Sequence, residues 1–151
     1  MSTDNIKLPR LKIKEIMDNK IKIELKFNDP SHQQVIDIYE RIRVEYFGGK
    51  DQHFDRVYTP VRFKYDKNTG EQNFKKAILI LKIKASSQFI KNCCNFPIGN
   101  LKSNLWIEAI VDSTWIQNFN GTFILANIIY AVIDDDNNEN NYEFKLDNLI
   151  D

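Results

Sequence analysis

Apolar and charged residues alternate at a spacing of two in parts of this chain, and this pattern limits its fold more than any other feature. Residues 21–27 read IKIELKF, with an apolar residue at every odd position and Lys or Glu at every even one. Successive side chains of an extended strand point to opposite faces, so this segment has one apolar and one charged face. Further segments with strand character are residues 11–15, 57–65, 77–84, 104–111 and 122–133. The sequence predicts a protein built mainly of half-buried β-strands.

One segment has the spacing of an α-helix. Its apolar residues recur at three- and four-residue intervals and form one stripe: Val35, Ile38, Tyr39, Ile42 and Tyr46. Asn28 or Asp29 can cap this helix, and Pro30 suits its first turn. Gly48 and Gly49 are typical of a helix end.

The order of these elements selects the fold class. Two strands, a helix and then four strands leave no strand–helix alternation, which excludes a parallel α/β sheet. We expect a mostly β protein with a small closed or partly open barrel of five to six strands and one inserted helix. In this organisation residues 1–9 are a flexible arm, residues 10–133 are the barrel domain and residues 134–151 are a disordered acidic tail. Connecting loops are expected at 66–70, 86–102 and 118–121.

The net charge of zero hides a strong asymmetry along the chain. Residues 134–151 hold seven acids and one base, a net charge of −6, so residues 1–133 carry +6. A basic body can attract a polyanion, and an acidic tail can compete for the same surface. The alternative interpretation is that the tail only keeps the protein in solution.

Signals for other protein classes are missing from the sequence. No apolar stretch is long enough for a membrane span, and the N-terminus lacks the apolar segment of a signal peptide. We therefore expect an intracellular protein of the cytoplasm, the nucleus or a viral replication site. Cys93 and Cys94 are interpreted as reduced thiols in a loop, and His32 and His53 as solvated side chains. No catalytic or metal-binding motif occurs, so we expect no enzyme activity, no metal and no cofactor.

Aromatic and basic residues are interleaved on the predicted strands. Single-stranded nucleic acid needs rings on which bases stack and Lys or Arg for its phosphates. The candidate DNA-binding residues are Lys22, Lys26, Tyr58, Arg62, Lys64, Lys82, Lys84, Trp106 and Trp115. Trp106 faces outward if Leu105 and Ile107 face the core, and Trp115 precedes the predicted hairpin turn. Phe63, Tyr65 and Phe74 are more easily explained as core residues.

Three long segments resemble the single-stranded DNA-binding proteins of the bacteriophage T7 type, which have counterparts in large DNA viruses. They are residues 20–47, a strand followed by a helix, residues 56–83, two strands around a Lys-containing turn, and residues 103–133, the closing hairpin. The resemblance implies an OB-fold that binds single-stranded DNA without sequence preference in replication, recombination or repair. It also implies an acidic tail that covers the DNA groove and recruits replication proteins.

The sequence departs from this family at two places. The family has a Tyr, a base and a Trp in the hairpin, where this chain has Thr114, Trp115 and Ile116. The family's tail ends in an aromatic residue, whereas this chain ends in Ile150 and Asp151.

Sequence analysis therefore predicts a protein that binds single-stranded DNA, with a homodimer as a further expectation. One alternative is a β-barrel interaction module or adaptor subunit whose basic face meets an acidic partner. An RNA-binding OB protein and a small enzyme without a local signature are the others.

Overall fold

The computed structural model describes residues 5–47, 57–65 and 72–135. Its strands are β1 (Ile6–Lys7), β2 (Leu11–Lys12), β3 (Glu15–Met17), β4 (Lys20–Lys26), β5 (Val57–Tyr58), β6 (Val61–Tyr65), β7 (Gln72–Lys91), β8 (Cys94–Asn95), β9 (Trp106–Asn118) and β10 (Gly121–Asp134). One α-helix, α1 (Pro30–Phe47), follows β4, and a 3-10 turn covers Ile98–Asn100. Within the described ranges, no helix is both long enough and apolar enough to cross a membrane.

All described strands belong to one sheet with the order β1–β9–β10–β7–β4–β3. The hairpin β9–β10 and the pair β4–β7 are antiparallel, whereas β7 and β10 run parallel. The N-terminal segment forms hydrogen bonds near both edges of the sheet. The amide of Ile13 donates to the Leu105 carbonyl at 2.8 Å, and that of Lys14 donates to the Lys22 carbonyl at 2.9 Å. These bonds curl the sheet into the OB-like fold that the sequence predicted.

Alternation along the strands explains which residues form the core. Ile21, Ile23 and Leu25 of β4 are fully buried, and the Lys and Glu residues between them lie on the outer face. The outward parity predicted for Trp106 is confirmed, because Leu105 and Ile107 beside it are buried. Other buried strand residues are Leu79, Leu81, Ala109, Val111, Ile124, Ala126, Ile128 and Ile133.

Helix α1 adds its apolar stripe to the same core. Val35, Ile36 and Tyr39 are buried, and Ile42 packs against the core cluster. Val35, Tyr39 and Ile42 of the predicted stripe therefore contribute to the core. Ile38 is only partly buried, Ile36 is buried although it lies outside the predicted stripe, and the Tyr46 side chain lies outside the described part of the structure. Of the two predicted caps, Asp29 is the one that caps the helix, because its Oδ1 accepts a hydrogen bond from the Ser31 amide at 2.9 Å.

Strand β7 is longer than the sequence indicated. Its pairing with β10 shifts register between Ile83 and Gln88, so the strand bulges around residues 84–87 and then continues to Lys91. The Ser87 hydroxyl accepts a hydrogen bond from the Lys84 amide at 2.8 Å and donates to the Ile128 carbonyl. A bulge bends a strand without ending it. The first part of the predicted loop at 86–102 is therefore strand.

Other differences from the sequence-based expectations are local. Ile6 and Lys7, in the segment expected to be a flexible arm, pair with β9, and Leu8 is buried. The strand β9 also includes Trp115, which the sequence placed beside a turn. His32 is not merely solvated, because its Nδ1 accepts a hydrogen bond from the Lys26 amide at 2.8 Å. Cys93 and Cys94 are free and exposed, as expected. His53 and residues 136–151 lie outside the described residues.

Candidate nucleic-acid interface

Basic residues collect on the outer face of β4, β7 and β6. The cross-strand register places Lys20 opposite Lys82, and Lys26 opposite Lys76. Arg62 of β6 stands opposite Ile78, on the other side of β7. These residues share a face because the residues between them on each strand point into the core. The fold therefore gathers cations from three segments that are distant in sequence.

Two aromatic rings adjoin these cations. Tyr58 of β5 and Phe123 of β10 are register partners, and their rings stack with centroids 4.9 Å apart and an interplanar angle of 18°. The Arg62 guanidinium lies 5.5 Å from the centroid of the Tyr58 ring. Stacked rings beside a guanidinium form a flat surface to which a planar base can be added. We call these residues the basic–aromatic face: Lys20, Lys22, Lys26, Tyr58, Arg62, Lys76, Lys82 and Phe123.

A two-residue interruption between β5 and β6 brings Tyr58 and Arg62 together. Thr59 and Pro60 separate β5, which pairs with β10, from β6, which pairs with β7. The Thr59 hydroxyl bonds the Val61 backbone, and the Pro60 carbonyl accepts a hydrogen bond from the Ile80 amide at 2.9 Å. Pro has no amide to donate to a ladder, so it is typical of such a break.

Arg62 is held in position by its backbone contact. Its Nε donates to the Thr59 carbonyl at 2.9 Å. Partial burial lowers the pKa of the Arg62 guanidinium, because desolvation disfavours the charged form, and the nearby Tyr58 acts in the opposite direction. An arginine nevertheless keeps its charge at neutral pH. Arg62 therefore presents a fixed positive charge at the edge of the aromatic pair.

The nine candidate residues from the sequence are distributed unequally. The basic–aromatic face contains five of them: Lys22, Lys26, Tyr58, Arg62 and Lys82. Lys84 is exposed at the β7 bulge, beside the β3–β4 turn, where the Ile83 amide bonds the Asn19 carbonyl at 2.7 Å. The backbone of Lys64 lies in β6, and its side chain lies outside the described part of the structure.

The two tryptophans lie away from this face and from each other. They are nine residues apart on β9, an odd separation that places them on opposite faces. Trp106 stands opposite Asp134 and Lys12, with the Arg10 guanidinium 4.8 Å and the Lys12 ammonium 5.8 Å from its ring centroid. Trp115 stands opposite the buried Ile124 and has the parity of the core.

Sequence reasoning missed three members of the face: Lys20, Lys76 and Phe123. Phe123 faces outward, because Thr122 and Ile124 on either side of it are buried. The sequence carries no signal for this orientation, because the strand is apolar on both faces. The two lysines lie at or beyond the ends of their predicted strands.

The first residues of the acidic tail are held at the other end of β10. An Asp134 oxygen lies 3.8 Å from Arg10, and the Asp135 carboxylate lies 2.7 Å from the Lys91 ammonium. In the described ranges, no three His, Cys, Asp or Glu side chains form a group that could hold a metal ion.

The fold is similar to solved structures of phage proteins. For gp2.5, a single-stranded DNA binding protein encoded by bacteriophage T7, the TM-score is 0.57 at 10% identity, over 87% of this chain and 86% of that one. For the single-stranded DNA-binding protein of bacteriophage Enc34 in complex with single-stranded DNA, it is 0.58 at 11% identity, with the same coverage. No family model and no curated protein matches the sequence. The chain therefore has the fold of the phage single-stranded DNA-binding proteins.

Proposed function

We propose that this protein binds single-stranded DNA through the basic–aromatic face and requires no particular sequence. The observation that carries this proposal is the Tyr58–Phe123 stack with Arg62 beside it, on a face that also presents lysines from β4 and β7. Bases stack on flat rings whatever their identity, and lysines bind the phosphates that every nucleotide has. The fold shared with proteins described as single-stranded DNA-binding supports the same function.

The proposed path of the strand follows from the register. A base stacks on the exposed surface of the Tyr58–Phe123 pair, while Arg62 contacts the adjoining phosphate. The strand then runs along β4 and β7, where Lys22 and Lys82 contact further phosphates. Lys84, at the bulge, extends this path toward the β3–β4 turn. Lys64, Trp106 and Trp115 remain proposed contacts outside the basic–aromatic face.

Fluorescence anisotropy of a labelled oligo(dT), repeated over a series of salt concentrations, tests the proposal. Log affinity should fall linearly with log salt, by about 0.7 per phosphate contacted on a single strand. A matched duplex and a matched RNA serve as competitors, because the 2′-OH distinguishes RNA from DNA. Absence of binding, or an affinity independent of salt, would contradict the proposal.

We further propose that the acidic tail regulates this binding and recruits replication proteins. In this scheme the carboxylates of the tail compete with phosphates for the lysines. Pairing of Asp134 with Arg10 and Asp135 with Lys91 supports a fixed exit point for the tail. Roles in replication, recombination or repair, and a homodimer, belong to the same proposal. Pull-down with full-length and truncated chains tests the recruitment of partners.

An adaptor function is the second candidate, because two large apolar side chains at and near the tip of the β9–β10 hairpin are exposed. Phe119 is 100% exposed and Ile116 43% exposed. Such residues can contact a partner protein as well as a base. The adaptor proposal expects weak DNA binding and a stable protein complex that Phe119→Ser disrupts. The DNA proposal expects strong DNA binding and no such complex.

A further inference from the structure

Several carboxylates lie on the outer face of the sheet beside the cations, and among the described residues Asp112 is one whose partner is a neutral amide. Asp112 of β9 pairs in register with Asn127 of β10, which in turn pairs with Lys82 of β7 and, across it, Lys20 of β4. On β9, Asp112 is four residues from Ile116, the register partner of Phe123, which corresponds to about 13 Å. An extended single strand that stacks on Phe123 covers this distance in a few nucleotides.

A hydrogen bond from Asn127 on the neighbouring strand holds this carboxylate in place. The Asn127 side chain is almost fully buried, and its Nδ2 donates to Asp112 Oδ1 at 3.0 Å and to the Thr114 hydroxyl. The amide keeps this orientation although its own Oδ1 is buried and no described donor reaches it. A flipped amide would place that oxygen against the carboxylate. Asp112 is therefore held in place while its side chain stays partly exposed.

The acids of β3 and β4 beside the lysines of this face have cationic partners, and this contrast singles out Asp112. Glu15 of β3 lies 3.8 Å from the Lys22 ammonium. Glu24 on β4 accepts a charge-assisted hydrogen bond from Lys14 at 2.8 Å. In the described part of the chain, Asp112 has a neutral amide as its partner and no ion pair. A carboxylate so placed repels the phosphates that the lysines attract. It can offset this cost where it accepts hydrogen bonds from the bound strand.

We propose that Asp112 gives this face a preference for guanine, an inference that rests on the proposed function. The N1–H and N2–H₂ groups of guanine are adjacent donors, which a carboxylate can accept as a pair. The Watson–Crick edge of thymine instead has one N–H between two carbonyl oxygens, which repel a carboxylate. A paired hydrogen-bond contact to a base discriminates by roughly 1–3 kcal/mol, which corresponds to about five-fold or more in affinity. The protein still binds all sequences, and guanine binds more tightly.

Competition between three oligonucleotides tests this preference. They are oligo(dT), oligo(dT) with isolated guanines, and the same oligomer with hypoxanthine at those positions. Hypoxanthine keeps the guanine ring and N1–H and lacks only the N2 amine. We expect the guanine oligomer to bind the full-length protein about five-fold more tightly than the hypoxanthine oligomer. Equal affinities would overturn the inference.

Two charge-neutralising variants assign the preference to Asp112. Asp112→Asn should bind oligo(dT) at least as tightly as the wild type and lose the difference between guanine and hypoxanthine. Glu108→Gln removes the same charge from an exposed position four residues away on β9 and should keep that difference. A preference that survives in Asp112→Asn would overturn the inference. Salt-dependent oligo(dT) binding without any base preference rejects this inference alone, whereas no binding to any oligomer rejects the proposed function.

Discussion

Tyr58 and Phe123 come from distant parts of the sequence, and both stacked rings are partly exposed. The Arg62 guanidinium lies over the Tyr58 ring, 5.5 Å from its centroid. In the proposed complex the exposed part of this pair stacks against a base, so either ring should contribute to affinity.

Replacement of Phe123 by Ala tests the stacking contribution. Loss of a ring that stacks a base costs about 1–3 kcal/mol, so affinity for oligo(dT) should fall by about ten-fold. Tyr130→Ala is the matched control, because Tyr130 is a half-buried aromatic residue on the same strand, opposite Ile110 and away from the face. Anisotropy titration measures both variants. An equal loss in the two variants would indicate a general structural effect and contradict the assignment.

Tyr39 provides a test at high pH. Its ring is buried in the core, its hydroxyl has no described hydrogen-bond partner, and burial raises the pKa of that hydroxyl. A group whose pKa is higher in the folded state stabilises the fold fully below its unfolded pKa, near 10, and less as pH rises above it. The free energy of unfolding should therefore fall more steeply above pH 10 in the wild type than in Tyr39→Phe.

At neutral pH, Tyr39→Phe removes an unsatisfied buried hydroxyl and should raise the free energy of unfolding by about 1 kcal/mol. Urea denaturation over the pH range measures both effects. The two proteins differ only at residue 39, so the difference between their two curves reports on the Tyr39 hydroxyl. A wild type that matches Tyr39→Phe at every pH would contradict the buried placement of this hydroxyl.

At single positions, five members of the basic–aromatic face were predictable from the sequence. On strands where charged and apolar residues alternate, the lysines and arginines are expected on the solvent-facing side. Sequence reasoning could not identify the role of Phe123, since an apolar residue on a strand that is apolar throughout carries no parity signal. It also gave Trp106 and Trp115 similar weight, although the odd separation between them places them on opposite faces once β9 is continuous.

The break at Thr59–Pro60 is the element that organises the site. Without it, β5 and β6 would continue as one strand, and Tyr58 could not pair with β10 while Arg62 pairs with β7. Residues 57–65 were predicted from the sequence as one segment, although Pro60 has no amide to donate to a continuous ladder. The bulge in β7 was not predictable, because it depends on the long-range bond from Ser87 to the Ile128 carbonyl.

The N-terminus of α1 offers a test at the level of one element. Asp29→Ala removes the hydrogen bond to the Ser31 amide and should lower the free energy of unfolding by about 1 kcal/mol. Asn28→Ala, at the other cap candidate from the sequence, is the control, because Asn28 is exposed and should tolerate the change. Urea denaturation followed by circular dichroism compares the two. A larger loss in Asn28→Ala would contradict the capping assignment.

At the scale of the whole molecule, the charge and the length of the acidic tail determine whether it can compete for the basic–aromatic face. Phe123 and Asp134 stand near opposite ends of β10, about 35 Å apart by strand rise. Residues 136–151, if fully extended, span up to about 55 Å, so the tail is long enough to reach the basic–aromatic face. The positive body and the acidic tail were predictable from composition, the mostly β barrel from alternation, and the OB-like fold from the resemblance to the phage family. The sheet order was not, because pairing partners depend on contacts between distant segments.

Removal of residues 136–151 tests competition by the tail. This deletion keeps Asp134 and Asp135, which pair with Arg10 and Lys91, and removes five acids and one base, a net charge of −4. Affinity for oligo(dT) should rise on the order of ten-fold at low salt, and the gain should shrink as salt screens the charges. A tail of equal length with its acids changed to Asn and Gln separates charge from length. Equal affinities of the full-length and truncated chains would count against competition.

The salt dependence of oligo(dT) binding, measured for Lys82→Gln and Lys102→Gln, tests most directly whether single-stranded DNA binds on the basic–aromatic face. Both substitutions remove one positive charge, but Lys82 lies on that face and Lys102 is exposed on the segment before β9. The slope of log affinity against log salt should become shallower by about 0.7 in Lys82→Gln and stay unchanged in Lys102→Gln. Equal slopes in the two variants would show that the phosphates are bound elsewhere.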